Sequence, residues 1–497
     1  MSPAQFTVLI IYFSVLIVMS IYGLHRYYMV YMYYRYKHNV PKPKAHFDEL
    51  PRITVQLPIY NEMHVVKRLV DAVCKLEYPK ERLDIQVLDD STDETQQLAQ
   101  ICVDRAREQG FDISYYHRED RTGFKAGALQ EGMKYAKADF ITIFDADFIP
   151  ASDMLRKMIH YFTDPKVAMV QARWGHINRD YSILTQIQSI MLDGHFVIEH
   201  TCRNRSGRFF NFNGTAGIWR RNAIVDGGGW QHDTLTEDLD LSYRAQMRGW
   251  KFVFLQDIVS PAEVPPEINA FKSQQHRWAK GSIQTMKKIL PRIFKADLPL
   301  RIKVEAFFHL SANIAYLLMI PLSILMFPSM VIRYNLGWYD LLLVDFPLFA
   351  AATLSVSTFY VVCQKEVYAN WPARLKYLPP LMWVGVGLCI NNSKAVVEAL
   401  FNHQSPFRRT PKYGITTTSD QWKGKKYSGR QDIQPYVELL FGLYFTFAVF
   451  FALTTGLYPI LPFLLLFQIG FLYTASLSLM QRREKEEQVP VLGNQKA

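Results

Sequence analysis

The chain has 497 residues, too many for one ordinary hydrophobic core, and its five cysteines include no CxxC pair. This pattern excludes a disulfide scaffold and a zinc site. The net charge of +11 comes without a nucleic-acid-binding signature, so membrane topology and phosphate binding explain the basic residues better than nucleic acid does.

The first element in the chain is an apolar segment at residues 6–24, about 19 residues long and therefore able to span a bilayer. A cleaved signal peptide is the alternative, but a basic start and a small-residue cleavage site are both missing. His25, Arg26, Arg35 and Lys37 follow the segment. The positive-inside rule predicts that this side is cytoplasmic.

The polar first half of the chain alternates between two patterns. Short β-branched runs occur at residues 53–57, 84–90, 138–147 and 168–174, and helical patterns occur at residues 64–75 and 91–109. The alternation predicts an α/β domain with a mostly parallel, doubly wound sheet. Ligands bind beyond the carboxyl ends of the strands in such sheets. Three of the runs lead into acidic residues, namely Glu62, Asp89-Asp90 and Asp145-Ala146-Asp147.

The second half of the chain is apolar. Residues 304–327, 341–362, 437–454 and 459–480 look long enough to cross a membrane, whereas residues 377–400 are ambiguous because their second half is polar. If the polar domain is cytoplasmic, the N-terminus lies outside, and the basic residues after the last segment indicate a cytoplasmic tail. An odd number of crossings follows. We expect five, with residues 377–400 lying along the interface or entering only partly.

Two acidic motifs follow predicted strands. Asp145 and Asp147 are spaced i, i+2, so they can hold Mg²⁺ or Mn²⁺ jointly with a diphosphate. A lone DxD is more often a solvated turn, and the preceding strand and the other motifs favour the metal site. Asp89-Asp90-Ser91 admits a helix N-cap as well as a contact to a nucleotide, on different residues.

Two further motifs precede helical patterns. Residues 121–128, RTGFKAGA, combine two glycines with two basic residues, which suits a phosphate at a helix N-terminus, although an ordinary loop is the alternative. Glu237, Asp238 and Asp240 open the other pattern. They either complement the helix macrodipole or include a general base, and position alone does not choose among them.

Gln274, Arg277 and Trp278 share one face of a predicted helix. That face offers a hydrogen-bond donor, a planar cation suited to a diphosphate and an aromatic platform suited to a sugar ring. The alternative is a membrane anchor, with Trp278 at the interface and Arg277 against lipid phosphates.

The ordered motifs together resemble those of processive family 2 glycosyltransferases. These are the cellulose synthases and, more closely, the plant cellulose-synthase-like glucan and mannan synthases. The resemblance covers nearly the whole chain, and the ordered series is specific although each motif alone is weak. It rests on PIYNE at 58–62, DDST at 89–92, RTGFKAGAL at 121–129, FDADF at 144–148, QARW at 171–174, FNFNGTAGIWRR at 210–221, TED at 236–238 and QQHRW at 274–278.

The resemblance implies a role for each motif. Asp238 would be the catalytic base, and Asp145 and Asp147 would hold the Mg²⁺ or Mn²⁺. The donor site would comprise Tyr60, Glu62, Asp89, Lys125, Asp145, Gln274 and Arg277. The acceptor site would comprise Trp278, Asn213, Gly214 and Thr215. A segment similar to the gating loop of cellulose synthases, or else a charged loop at the membrane surface, would contain Phe407, Thr410 and Lys412.

The resemblance also implies a domain organisation. A cytosolic GT-A (Rossmann-like) domain at residues 38–290 would be inserted between a transmembrane helix at 1–37 and an α-helical channel region at 291–497. The channel region would include an interfacial helix at about 377–403 and the gating-loop-like segment at 404–435. We expect a multi-pass protein of the plasma membrane with a cytoplasmic catalytic domain. The Arg408-Arg409 pair replaces the apolar residue usual in the gating loop.

The expected function is that of an inverting, metal-dependent hexosyltransferase that polymerises a β-1,4-glucan from UDP-glucose and translocates it across the membrane. The first alternative is a β-1,4-mannan synthase that uses GDP-mannose, because the QQHRW and FNGTAG forms also resemble mannan synthases. A non-processive lipid glycosyltransferase of the ceramide type and a transporter or receptor with a degenerate catalytic domain are further alternatives. The expected partners are a nucleotide sugar, a polysaccharide and the lipid bilayer. Secretion partners and a homo-oligomer stay open.

Overall fold

The computed structural model of this chain describes residues 1–338, 342–403, 409–417, 419–422 and 433–486. A long helix, α1 (Pro3–Tyr36), precedes a seven-stranded sheet. The strands are β1 (Ile53–Ile59), β2 (Leu83–Asp89), β3 (Ile113–His117), β4 (Phe140–Ile143), β5 (Val167–His176), β6 (Gly217–Arg220) and β7 (Lys251–Ala262).

The sheet is mixed but mostly parallel, and its spatial order is β3-β2-β1-β4-β6-β5-β7. Only β6, among the described strands, runs antiparallel to its neighbours, β4 and β5. β1 and β2 are buried along their whole length, and their polar side chains pair across the two strands, Thr54 with Asp84 at 2.7 Å and Gln56 with Gln86 at 3.1 Å. Ile59 and Asp89 are register partners at the carboxyl ends of β1 and β2, so the residues that follow them emerge at one edge. This confirms the predicted α/β sheet.

Helices cover both faces of the sheet. They are α2 (Val66–Val73), α3 (Thr95–Glu108), α4 (Phe124–Tyr135), α5 (Met154–Ile159), α6 (Ile183–Asp193), α7 (Thr201–Arg205), α8 (Arg221–Asp226) and α9 (Glu237–Met247). Leu69 of α2 and Val103 of α3 belong to one apolar core, whereas Leu129 of α4 and Leu241 of α9 belong to the other. A π-helical turn, Gly194–His200, joins α6 to α7.

The remaining helices form the apolar half of the molecule. They are α10 (Ile268–Lys295), α11 (Leu300–Ser311), α12 (Ile314–Asn335), α13 (Leu342–Val367), α14 (Trp371–Arg374), α15 (Leu378–Leu400), α16 (Gln434–Thr454) and α17 (Leu461–Glu486). Five helices of the described chain are long and apolar enough to cross a membrane, namely α1, α12, α13, α16 and α17. Five is the number of crossings expected from the charge pattern.

One predicted crossing differs from the structure. The apolar run at residues 304–327 is divided, because α11 ends at Ser311 and α12 begins at Ile314. α11 is held against the α/β half through Glu305, which accepts a hydrogen bond of 2.9 Å from Arg203, and through His309, whose Nδ1 lies 2.7 Å from the Tyr243 hydroxyl. These polar contacts explain why the crossing-length helix starts only at Ile314.

The ambiguous segment forms the single helix α15, which is not among the five long apolar helices. The first polar residues of its second half, Asn391, Asn392 and Ser393, are buried against other helices, whereas Lys394 is exposed. Asn391 donates a hydrogen bond of 2.9 Å to the carbonyl of Lys272 in α10, and Ser393 donates one of 2.7 Å to the carbonyl of Tyr316 in α12. Protein partners therefore satisfy Asn391 and Ser393, two of the polar side chains that made this segment ambiguous.

Candidate active site

A cleft opens where β1, β2 and β4 end. It encloses about 1300 Å³ including its mouth, and α10 forms its opposite wall. The carboxyl ends of parallel strands supply one side of the cleft, as in other open α/β sheets. Most of the predicted site residues meet here: Tyr60, Glu62, Lys125, Asp145, Asp147, Asn213, Gly214, Asp238, Gln274, Arg277, Trp278, Thr410 and Lys412 all line the cleft.

The two carboxylates of the DxD motif are each paired with a lysine. Asp145 Oδ1 lies 2.5 Å from Lys125 Nζ, and Asp147 Oδ2 lies 2.6 Å from Lys412 Nζ. Lys125 also donates to the carbonyl of Gly214 at 2.9 Å. Burial alone would lower the pKa of Lys125, but Asp145 and other carboxylates outweigh burial and the pKa is raised. Lys125 is therefore a cation at the centre of the cleft.

The donor atoms at this site suit a hard divalent cation. Asp145 and Asp147 offer carboxylate oxygens, the ligands that Mg²⁺ and Mn²⁺ prefer. Within the described ranges, no group of three or more His, Cys, Asp or Glu side chains is placed to hold a metal ion. The chain's side chains fit a metal whose remaining ligands come from a diphosphate and from water.

The structure distinguishes the three acids at the start of α9. Asp240 is fully buried and pairs with Arg244 at 2.7 Å and with Lys288 at 3.0 Å, so it does not line the cleft. Glu237 and Asp238 do. Burial and the neighbouring Glu237 carboxylate raise the pKa of Asp238 to about 7. Such a carboxylate can accept a proton near neutral pH.

The backbone at Gly214 approaches Asp238 closely. A Cβ atom on Gly214 would lie 3.1 Å from Asp238 Oδ2, and Gly214 has φ of +77°. Both the conformation and the space favour glycine at this position. Thr215 does not line the cleft. Instead its hydroxyl accepts a hydrogen bond of 2.9 Å from the backbone N–H of Asp145 and so supports the DxD turn from behind.

α10 places three of its residues in the cleft, Gln274, Arg277 and Trp278. Burial lowers the pKa of Arg277, and the carboxylates of Glu237 and Asp145 oppose that effect. Trp278 lines the cleft. This position favours its interpretation as an aromatic platform for a sugar ring over its interpretation as a membrane anchor.

Asp89 is placed differently from its neighbour. It is fully buried, accepts a hydrogen bond of 2.7 Å from the Tyr115 hydroxyl and does not line the cleft. Asp90 lines the cleft and forms a two-pronged ion pair with Arg118 at 2.7 and 2.5 Å. The N-cap interpretation of Asp90 or Ser91 is wrong, because α3 begins at Thr95 and its N-cap residue is Glu94.

Some cleft residues were missed by sequence reasoning as site residues. Arg121 stacks on the Tyr60 ring, with its guanidinium carbon 3.2 Å from the ring centroid. Its place in the RTGFKAGA motif was a usable signal, since that motif already suggested phosphate binding. Trp174 and His176 at the end of β5 also line the cleft, and only the QARW motif pointed toward them.

The gating-loop-like segment lies over the cleft where the structure describes it. Arg409 pairs with Glu62 at 3.0 Å, and Lys412 pairs with Asp147. Burial raises the pKa of Glu62 to about 7, although the Arg409 charge opposes this. Phe407 and Arg408 lie outside the described residues. The second arginine of the unusual pair, Arg409, thus has a carboxylate partner within the cleft.

Glu263, at the end of β7, anchors the same segment. Its carboxylate accepts hydrogen bonds from three successive backbone N–H groups at 2.8, 2.9 and 3.2 Å, those of Tyr413, Gly414 and Ile415. No sequence motif marked Glu263. Its contacts join residues about 150 positions apart, and such a pairing leaves no local pattern.

Comparison with known proteins agrees with this geometry. Residues 51–281 match the family described as glycosyltransferase like family 2. Glucomannan 4-beta-mannosyltransferase 2 of Arabidopsis thaliana is 45% identical over 253 residues, which cover 50% of this chain and 47% of the relative. Glucomannan 4-beta-mannosyltransferase 1 of Oryza sativa subsp. japonica is 42% identical over 258 residues, covering 51% and 50%. The matched regions thus span about half the length of these relatives.

A solved structure shares the fold. The mannosyltransferase of Pyrobaculum calidifontis in complex with GDP-Man and Mn²⁺ superimposes with a TM-score of 0.52 at 20% identity, over 79% of this chain and 99% of the other. The catalytic half therefore has the predicted GT-A, Rossmann-like fold, and apolar helices flank it.

The prediction of a glucan synthase that uses UDP-glucose is wrong. The relatives are named as mannosyltransferases of glucomannan, which favours the mannan alternative. The error has a chemical cause. The motifs that supported the prediction carry carboxylates, cations and glycines suited to a diphosphate and a metal, and these groups are common to both kinds of donor.

Proposed function

We propose a function from one premise, that residues 51–281 of this chain are a domain of the glycosyltransferase like family 2. On this premise the chain transfers mannose from GDP-mannose to the 4-hydroxyl of a β-1,4-mannan. The convergence of Asp238, Lys125 and Arg277 in one cleft carries the proposal of glycosyl transfer. The names of the plant relatives support mannose as the sugar.

In the proposed reaction Asp238 takes the proton of the acceptor's 4-hydroxyl as that oxygen bonds to C1 of the mannose. The bond between C1 and the diphosphate oxygen breaks, and GDP leaves with the bonding electron pair. Attack from the face opposite to the diphosphate inverts the configuration at C1. A base with a pKa of about 7 suits this step at neutral pH.

The leaving diphosphate needs positive charge. Lys125 and Arg277 line the cleft and are proposed to stabilise the negative charge that develops on GDP. Asp145 and Asp147 would hold Mg²⁺ or Mn²⁺, which when bound neutralises part of the diphosphate charge. Gln274 would add a hydrogen bond on the same side, and Trp278 would stack on the acceptor sugar.

The five long apolar helices support a protein embedded in a membrane. We place the catalytic half on the cytoplasmic side, because Arg35 and Lys37 lie at the end of α1 that joins the catalytic half. On that side the cleft faces the compartment that supplies nucleotide sugars.

The test uses the full chain purified in lipid nanodiscs with Mn²⁺ or Mg²⁺ and β-1,4-mannohexaose as acceptor. GDP-mannose and UDP-glucose are supplied separately at equal concentration, and the product is digested with an endo-β-1,4-mannanase. We expect transfer from GDP-mannose and a product that the mannanase degrades. The proposal would be overturned by a mannanase-resistant product, by preference for UDP-glucose, or by a single mannose attached to lipid.

A further inference from the structure

We infer that His195 and His200 are positioning residues that fix the side-chain amide of Asn213 toward the acceptor sugar. The inference rests on the proposed function and deepens it. Asn213 lines the cleft next to Gly214, the glycine that lies against Asp238. Its amide therefore stands on the side of the cleft where the acceptor's reacting hydroxyl must lie.

Two histidines of the π-helical turn hold this amide from behind. Asn213 Nδ2 lies 2.9 Å from His195 Nε2, and Asn213 Oδ1 lies 2.6 Å from His200 Nε2. A π-helical turn places extra residues within one turn of helix and is frequent at functional sites. Here it brings His195 and His200 onto the same amide, with ring centroids 4.3 Å apart.

The hydrogen-bond roles follow from Glu199. Its Oε2 lies 3.1 Å from His195 Nδ1, and a carboxylate only accepts, so Nδ1 carries the proton. In the neutral ring Nε2 then accepts, and Asn213 Nδ2 must donate to it. The carbonyl oxygen of Asn213 is thereby turned to His200, which donates from Nε2.

His200 is suited to this single donation. Its side chain is fully buried, and burial holds its pKa well below the ordinary value, so the ring is neutral. Nδ1 of His200 has no hydrogen-bond partner within the described part of the chain. Its one N–H is therefore committed to Asn213. Protons and lone pairs are thus assigned consistently at each contact from Glu199 to Asn213.

Glu199, the residue of this hydrogen-bond network farthest from Asn213, is connected to helices of the apolar half. Glu199 accepts hydrogen bonds from Arg26 of α1 at 2.5 Å and from Arg203 at 3.2 Å. Arg203 continues to Glu305 of α11 at 2.9 Å. Although burial opposes ionisation, Arg203 and Arg26 hold the pKa of Glu199 well below its ordinary range. Glu199 therefore stays a carboxylate that can orient His195.

The side-chain amide of Asn213, held in this orientation, can form hydrogen bonds with the hydroxyl groups of a sugar. An amide can donate two hydrogen bonds and accept two, and the histidines engage one of each. One N–H and one lone pair of Asn213 are thus left for two hydroxyl groups of the acceptor's terminal sugar. If the amide turned over, both contacts would place donor against donor or acceptor against acceptor, so the histidines set its orientation.

The test compares His200→Phe, which keeps a ring without a donor, with His200→Gln, which keeps an amide N–H. We expect His200→Phe and His195→Phe to raise the KM for β-1,4-mannohexaose about tenfold, the effect of losing one hydrogen bond. The dissociation constant of GDP-mannose should stay unchanged. His200→Gln should recover a large part of the loss. His46→Phe is the matched control, since His46 is exposed and also lies beside a second histidine, His160, with ring centroids 4.5 Å apart.

Two outcomes overturn the inference while leaving the proposed function intact. In one, the acceptor KM of both Phe variants equals that of the wild type. In the other, the affinity for GDP-mannose and the unfolding temperature fall while the acceptor KM rises, and His200→Gln recovers nothing, which indicates general structural damage. A wild-type protein that transfers no mannose would instead overturn the proposed function, and the inference with it.

Discussion

Lys412 Nζ lies 2.6 Å from Oδ2 of Asp147, the second carboxylate of the DxD motif. A lysine from the segment over the cleft thus holds the position that a divalent cation would need. The ammonium and a metal ion compete for the same oxygen, because both are cations that the carboxylate attracts. A metal bound at Asp147 would therefore weaken one contact that holds residues 409–417 in place.

We predict that Lys412→Met lowers the dissociation constant of Mn²⁺, measured by calorimetry in the presence of GDP, about tenfold. The reason is the loss of a competing cation at Asp147. Lys67→Met is a suitable control, because Lys67 also pairs with an aspartate, Asp71 at 3.3 Å, but does so on the exposed surface. Unchanged or weaker Mn²⁺ binding in Lys412→Met would contradict the competition.

Asp238→Asn should reduce kcat by about 10²- to 10⁴-fold, since an amide cannot take up the acceptor's proton. The dissociation constant of GDP-mannose should stay near the wild-type value, because the donor-side cations are untouched. Asp104→Asn, a change of the same kind at an exposed position, controls for the loss of one charge. Wild-type turnover in Asp238→Asn would exclude this residue as the base.

The pH dependence of kcat/KM should show an acid limb near pH 7. Burial and then Glu237 raise the pKa of Asp238 to about 7, and the base works only when deprotonated. Activity is therefore present above the pKa and is lost as the pH falls through it. Glu237→Gln removes a negative charge beside Asp238, lowers its pKa and should move the limb to lower pH.

This shift is measured from full pH profiles of the wild type and Glu237→Gln at saturating metal. Glu131→Gln removes an equivalent charge from an exposed position and should leave the limb in place. A limb that stays fixed in Glu237→Gln, or moves to higher pH, would show that another group controls the profile.

Gly281 of α10 lies against the turn that leads into α9. A Cβ there would stand 2.6 Å from Thr236 Cγ2 and 2.9 Å from the Thr236 backbone nitrogen, so something must shift. We predict that Gly281→Ala destabilises the protein by about 1–3 kcal/mol and lowers kcat, because Thr236 directly precedes Glu237 and Asp238. Thermal unfolding and kcat are measured together.

Gly385 of α15 provides the matched control for this prediction. It is also a helical glycine, but a Cβ there would meet no heavy atom of the described residues within 4 Å. Gly385→Ala should therefore leave kcat unchanged and should not destabilise the protein, because alanine is the better helix former and has room here. Equal effects of the two substitutions would show that the contact with Thr236 does not position the acids of α9.

Much of the fold was predictable because it rests on local patterns. The runs that form β1, β2, β4 and β5 are largely buried and rich in β-branched and other apolar residues, and they were recognised as strands. β3, β6 and β7 were missed. β6 has only four residues, and the short apolar run at the start of β7 is followed by Gln256 and Asp257, although the strand continues to Ala262.

The candidate site also contains some residues that were predictable from the sequence and others that were not. Asp145, Asp147 and Asp238 follow strands or open a helix, and their placement in the cleft was foreseeable from those positions. Glu263 and the histidines behind Asn213 were not, because their roles depend on partners far away in the sequence or on a π-helical turn that no pattern marked. The identity of the donor sugar was also not predictable from the motifs. In the proposed binding mode, the donor-site motifs contact the diphosphate rather than the ring of the donor sugar.

α10 connects the cleft directly to two helices of the apolar half. Gln274, Arg277 and Trp278 stand in the cleft, while Lys272 of the same helix is joined to Glu438 of α16 at 2.7 Å and Lys280 to Glu398 of α15 at 2.8 Å. A helix transmits a displacement along its axis because each turn is hydrogen-bonded to the next. When a bilayer of different thickness tilts α16, the arginine and tryptophan should move with it. We therefore expect turnover to vary with the thickness of the bilayer.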